Sequence, residues 1–271
     1  MSTAAGPPVL VDVDGEAAVT TIRLNRPENR NALTVELKVA LRDALEAVAD
    51  DPSVRAVVLA SSGKAFCVGQ DLREHAEALR SGEDGAIGAD ALSTVPEHYN
   101  RIAAALGTMR KPVVAAINGT AVGAGLGFAL ACDLRVAAPG VKFATAFAGI
   151  GFGGDSGLSG TLAHCVGASR ATELLMLGEP FTAEEARDWG IVKEIADDPD
   201  EAALALARRL ANGPTLAFAE IKAAVAMGTV SSLREVLDHE ASAQARLGAT
   251  EDHRGAVDAF LAKQQPVFRG R

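Results

Sequence analysis

Two turns of small residues and one aspartate are the places in this chain where chemistry could be done. The first turn lies in KPVVAAINGTAVGAGLGFALACD, Lys111 to Asp133. Val113 to Ile117 reads as a buried strand, Asn118-Gly119 breaks it, and Gly123, Ala124, Gly125 and Gly127 lead into an apolar stretch that reads as a buried helix. Small residues admit a ligand to the backbone, and the free N–H groups of a helix start attract negative charge. The second turn, Gly69-Gln70-Asp71, also follows a buried strand. If the two strands are parallel neighbours, their carboxyl ends meet at one crevice. Two backbone N–H groups can then converge on one oxygen, each worth about 2.7–4 kcal/mol to a charge developing there.

The glycines of the first turn allow other readings. A dinucleotide fingerprint needs G-x-G-x-x-G, but Phe128 holds the last glycine position, and Lys142, Phe143 and Ala144 stand where the ribose-binding acid belongs. A phosphate loop needs Gly-Lys-Ser/Thr, which is missing. Simple packing of a neighbouring helix against the glycines stays open. The aspartate, Asp155 in Gly153-Gly154-Asp155-Ser156-Gly157, likewise has two readings. It could cap a helix beginning near Gly157. It could also serve as a proton-transfer base, because a carboxylate flanked by Phe147, Ile150 and Phe152 is expected to have a raised pKa.

Other polar residues carry less. His164, beside Leu162 and Val166, reads as a core or interface histidine, and His98 as the mark of a helix start or a pocket-lining group. Gly154-Asp155-Ser156-Gly157 is no nucleophile elbow, since Leu158 occupies the closing glycine position. Cys67, Cys132 and Cys165 show no metal-ligand spacing and read as reduced, buried thiols, so no metal is expected. The net charge of -9 discounts nucleic acid and anionic membranes as partners. No signal peptide or spanning stretch is visible, and the expected location is cytoplasmic.

These residues need elements to position them. Val9 to Val13 and Ala17 to Leu24 flank the turn signal Asp14-Gly15. Thr34 can cap a helix whose Leu37, Leu41, Leu45 and Val48 share a face. Val54 to Ala60 reads as a further strand, Tyr99 to Met109 as a helix, and Leu134 to Ala137, Val141 to Phe143 and Ile191 to Ile195 as strands. The stretch from Arg80 to Ser93 reads as a loop able to cover a site. Helices are expected over Ala168 to Leu177 and Thr182 to Trp189, and throughout from Pro199. Strand, helix, strand predicts an α/β chain with a parallel sheet. Composition places a boundary at 198/199, with an α/β core over 1–198 and a helical region over 199–271.

The segments LNRPENRNAL, SSGKAFCVGQDL, KPVVAAINGTAVGAGLGFALACDLRVAA, LLMLGEPFTAEEARDWGIV and AFLAKQQPVF together resemble the crotonase (enoyl-CoA hydratase/isomerase) superfamily along nearly the whole chain. The resemblance implies a crotonase-like (ClpP/crotonase) spiral of ββα units with a C-terminal helical trimerisation region, hence a homotrimer or a dimer of trimers. It implies an acyl-CoA thioester as substrate, with coenzyme A arriving as part of that substrate and no separate cofactor. The Gln70 and Ala124 N–H groups then hold the thioester oxygen. The backbone of Cys67 and Val68 meets the adenine end, and Asp71, Leu72 and Arg73 continue the CoA site. Phe260 and Lys263 close it from a neighbouring subunit. Arg73 and Lys263 read equally well as solvated surface.

Hydratases of the family carry two glutamates, and the matching positions here are Gly127 and Phe147. Asp155 matches an aspartate of phenylacetate-pathway isomerases, and also the nucleophile of chlorobenzoyl-CoA dehalogenases. The resemblance therefore favours double-bond isomerisation through Asp155. Hydration by another acid and acyl-CoA binding without turnover are the alternatives.

Overall fold

A computed structural model describes residues 6–80 and 93–271. The expected covering loop, Arg80 to Ser93, lies almost wholly outside the described residues, as does the start of the N-terminal tail. The chain opens with the hairpin β1 (Val9–Asp14) and β2 (Val19–Leu24), paired antiparallel. Then come α1 (Val35–Asp50), β3 (Ala56–Ser61), β4 (Ala65–Cys67), α2 (Leu72–Arg80) and α3 (Asn100–Thr108). The central part is β5 (Val113–Ile117), β6 (Thr120–Val122), α4 (Ala124–Ala131), β7 (Leu134–Ala137), β8 (Lys142–Ala144) and α5 (Leu158–Leu177). The short pieces β9 (Phe181–Thr182), α6 (Ala183–Asp188) and β10 (Glu194–Ile195) lead to α7 (Pro199–Ala211), α8 (Thr215–Gly228), α9 (Leu233–Gly248) and α10 (Glu251–Leu261). The strand expected over Ile191 to Ile195 shrinks to β10.

From β3 to β8 consecutive strands are dealt alternately to two sheets. The larger runs β1-β2-β3-β5-β7-β10 and the smaller β4-β6-β8-β9. Strands β2, β3, β5 and β7 are mutually parallel, as are β4, β6 and β8. Over β3 to β8 each step thus lays one strand in each sheet before a helix follows, which is a spiral of ββα units. The corner between β5 and β6 shows why Asn118-Gly119 stands there. A side chain at Gly119 would place its Cβ 2.2 Å from the Lys64 carbonyl oxygen. The Asn118 amide donates to Ser61 O and Gly63 O, both at 3.0 Å, tying this corner to the one between β3 and β4.

Period-2 alternation decides what each sheet face meets. Val57 and Leu59 of β3 point into the main core with Leu37, Leu41 and Leu45 of α1. Ala56, Val58 and Ala60 face the other way, against Ala203, Ala207 and Ala211 of α7. Alanines at i and i+4 let α7 lie close on the sheet. By packing, residues 199–211 therefore sit with the sheet, although composition separates them from it. Helices α8 to α10 lie beyond. The buried Glu220 of α8 accepts hydrogen bonds from Arg110 (3.2 Å) and Arg246 (2.8 Å). Among the described residues no helix is long and apolar enough to cross a membrane.

Thr34 caps α1, its hydroxyl accepting from the Leu37 N–H at 3.3 Å. Leu41, fully buried at the centre of that helix, is the sharpest test of the packing. Replacing it with alanine is expected to lower stability by about 2–5 kcal/mol, measured by urea unfolding.

Candidate active site

The Gly69-Gln70-Asp71 turn is held from one side. Leu33 donates its N–H to Gly69 O at 2.8 Å and accepts from the Asp71 N–H at 3.2 Å. In a parallel bridge the middle residue, Gln70, points its own N–H to the opposite side. Gly69 has φ +82°, where glycine costs least. The Asp71 carboxylate accepts from the Arg73 and Glu74 N–H groups at 3.1 and 3.3 Å, which starts α2.

The Gly123-Ala124-Gly125 turn abuts it. Gly123 (φ +55°) donates its N–H to Ala144 O at 3.0 Å and hands the chain to Ala124, the first residue of α4. A Cβ on Gly69 would lie 3.0 Å from Val122 O and 3.6 Å from Ala124 N, and one on Gly125 would lie 2.4 Å from Cys67 O. Bare backbone is thus required where β4 and α4 meet. Among the described residues, neither the Gln70 N–H nor the Ala124 N–H has an acceptor. Two unpaired donors on touching turns can bind one anionic oxygen. The Cys67 thiol at this junction is wholly buried and burial pushes its pKa up to about 12, so it is inert.

Asp155 does not cap α5 with its side chain. The Leu158 N–H donates to the Asp155 backbone oxygen at 2.9 Å, and α5 has no side-chain cap. The carboxylate instead accepts from Ser156 Oγ at 2.8 Å. Burial raises its pKa above the ordinary aspartate value, opposed by that hydrogen bond and by the charge of Lys38. Of the apolar neighbours expected to cause this, Phe147 is buried, while Ile150 and Phe152 are exposed. Phe152 meets His75 of α2 edge-on, with ring centroids 6.0 Å apart.

Steric fit accounts for glycine at 127. Ser156 is buried and has φ +54°, a strained value for a residue with a side chain. Its backbone and Cβ fill the space over Gly127, where an added Cβ would come within 2.7 Å of Ser156 Cβ. The loop that presents Asp155 thus occupies the room a residue larger than glycine would need at 127. The Phe147 ring comes within 3.7 Å of where a Gly123 Cβ would be.

Sequence reasoning missed a buried polar chain beside Gln70. Lys38 Nζ donates to Thr94 Oγ1 at 2.6 Å and to Gln70 Oε1 at 3.2 Å, and the Tyr99 hydroxyl also donates to Gln70 Oε1. Thr94 Oγ1 contacts His98 Nδ1 at 3.2 Å. The available signal was a lysine on the same helical face as Leu37, Leu41 and Leu45. His98 is therefore part of this network at the entry to α3. His164 is exposed, which removes its core reading; it borders a groove of about 930 Å³ with Cys165, Phe218 and Ile221.

The other expected site residues do not all gather. Val68 is half-buried, while Leu72 and Arg73 are exposed at the start of α2. Phe260, 81% exposed, and Lys263 lie at the end of α10, which packs on α9 and is tied through Asp252 to the C-terminal tail. Among the described residues no group of three or more His, Cys, Asp or Glu is placed to hold a metal.

The sequence profile of the Enoyl-CoA hydratase/isomerase family matches residues 14–271. The chain is 36% identical over 258 residues to the 1,2-epoxyphenylacetyl-CoA isomerase of Escherichia coli K12, covering 94% of this chain and 97% of that one. It is 34% identical over 261 residues to the 2,3-dehydroadipyl-CoA hydratase of the same organism, covering 96% and 98%. A crystal structure from Mycobacterium abscessus, described as a candidate enoyl-CoA hydratase/isomerase, is 51% identical with a TM-score of 0.90, covering 97% and 100%.

Gly127→Glu tests the steric account. The substitution is expected to destabilise the protein by about 1–3 kcal/mol through overpacking against Ser156, and to bring no hydration of enoyl-CoA esters. Thermal unfolding and a hydration assay on the same preparation check both halves.

Proposed function

The chain belongs to the enoyl-CoA hydratase/isomerase family, an enzyme with its crotonase fold, and from that premise we propose that it moves the double bond of an enoyl-CoA thioester between the β,γ and α,β positions. The Gln70 and Ala124 N–H groups donate to the thioester oxygen. The Asp155 carboxylate removes a proton from the α- or γ-carbon, and the electron pair left behind delocalises onto that oxygen as a dienolate. The same carboxyl group then returns the proton to the other carbon, and the carbonyl re-forms. One base suffices, because the proton removed is the proton restored.

The observation that carries this reading is the state of Asp155: a half-buried carboxylate, spared from helix capping, with a raised pKa, in a loop that leaves no room for a glutamate at 127. The isomerase among the relatives acts, by its name, on an epoxyphenylacetyl-CoA, which supports isomerisation of an acyl-CoA ester. The hydratase among them, 34% identical, keeps hydration by another acid as the second reading. Incorporation of solvent oxygen into the product decides for it.

Coenzyme A is proposed to enter with the substrate. Its adenine end lies along the backbone of Cys67 and Val68, followed by Asp71, Leu72 and Arg73. Phe260 and Lys263 are proposed to close the site of a neighbouring copy in a trimer or a dimer of trimers. The large apolar side chains left exposed on α8 to α10, among them Ile221, Val225, Leu237 and Phe260, support a role for the helical region in assembly.

Asp155→Ala is expected to lower isomerisation of a β,γ-enoyl-CoA ester by about 10²–10⁴-fold, with the ester still bound. The pH profile follows from the sign of the shift. Asp155 must be ionised to accept a proton, so kcat/KM falls as pH drops through its raised pKa. The acid limb is expected above the ordinary aspartate value of about 3.9 and absent from the variant's residual rate.

A further inference from the structure

Lys38 carries a buried charge that the proton shuttle leaves unused. It is 1% exposed, yet among the described residues its ammonium makes no ion pair with a carboxylate. Its two hydrogen bonds run to neutral oxygens, Thr94 Oγ1 and Gln70 Oε1, and it stands 5.2 Å from the centroid of the Tyr99 ring. Burying an ammonium costs several kcal/mol, and an apolar side chain at this core position would avoid that cost. Leu37, Leu41 and Leu45 show what packing alone selects on this face. A charge bound only by neutral groups keeps its field, and in a dry interior that field reaches several ångströms. What lies in it is Gln70, gripped at Oε1 by both Lys38 and Tyr99, whose own N–H is one of the two unpaired donors.

We propose that Lys38 is a positioning residue for the oxyanion: acting through Gln70, it fixes that side chain and supplies positive potential where the thioester oxygen gains charge. The proposal rests on the oxyanion-hole reading above and deepens it. The groups around the ammonium come from several elements. Asp71 and Glu74 belong to the start of α2, Asp155 to the loop before α5, and Thr94, His98 and Tyr99 to the turn before α3. Arg42, one turn along α1, bears on His98. The three carboxylates favour the charged lysine, but burial outweighs them and sets its pKa below the ordinary lysine value. Burial also raises the Tyr99 pKa and lowers that of His98, so both are neutral near pH 7.

The test reads potential at the oxygen without needing turnover. The probe is 4-(dimethylamino)cinnamoyl-CoA, a push–pull chromophore whose absorption moves to the red as its thioester oxygen is polarised. It is bound to the full-length wild-type protein and to Lys38→Met, Lys38→Gln, Lys38→Arg and Asp155→Ala. The neutral variants are expected to lose half or more of the red shift. Lys38→Arg is expected to keep most of it, and Asp155→Ala, which removes a negative charge, to show a red shift no smaller than the wild type's. The isomerisation kcat of the neutral variants is expected to fall about tenfold, equivalent to ~1.4 kcal/mol, with KM changed less than about twofold. A wild-type red shift in Lys38→Met or Lys38→Gln overturns the proposal. Should those variants fail to fold, Gln70→Met decides, because it keeps the backbone N–H and removes the Oε1 that links it to Lys38. It is expected to lose half or more of the red shift, and a wild-type red shift in it overturns the proposal. Unimpaired isomerisation by Asp155→Ala overturns the base assignment alone and leaves the role of Lys38 standing.

Discussion

The structure depends on backbone meeting backbone without side chains between. Where β4 ends and α4 begins, Gly125 lies against Cys67 at a distance no Cβ would allow, and Gly69, at a positive φ, lies tightly against Val122. Gly119 makes the same contact with Lys64 one corner earlier. These approaches hold two sheets at a fixed offset, and the offset sets the amides of Gln70 and Ala124 on touching turns. A donor pair built this way needs no reorganisation when charge develops, which is where such sites draw their effect.

A second constraint follows from the first. The loop carrying Asp155 folds back over α4, and Ser156 takes a left-handed conformation to do so. The residue at 127 has to be glycine to receive it. Glycine at 127 and the placement of the Asp155 loop are therefore one structural requirement. Together they leave a carboxylate on that loop, where burial raises its pKa and the Ser156 hydroxyl donates to it.

Much of this was legible in the residues. Val113 to Ile117 had to be a buried strand, Asn118-Gly119 had to end it, and Thr34 capped the helix expected of it. The alternation of β3 was visible as well, but not that its two faces serve two separate cores. β6 was hidden, because three residues directly after a glycine give no period to read, and its partners lie about fifty residues before it and twenty after. Asp155 was legible as an acid in an apolar loop, whereas its choice between cap and free carboxylate turned on a backbone carbonyl that sequence cannot show. Lys38 was the largest miss. A lysine beside leucines on a helix reads as a side chain reaching for water, and only the fold reveals that Thr94, Gln70 and Tyr99 surround it.

The central claim, that two amides and one carboxylate surround the reacting thioester, is tested most directly by a crystal structure with a saturated acyl-CoA ester bound. The account predicts the thioester oxygen about 2.7–3.1 Å from both Gln70 N and Ala124 N, with an Asp155 oxygen in van der Waals contact with the α- or γ-carbon. An ester whose oxygen meets neither amide, or whose acyl chain runs away from Asp155, contradicts it.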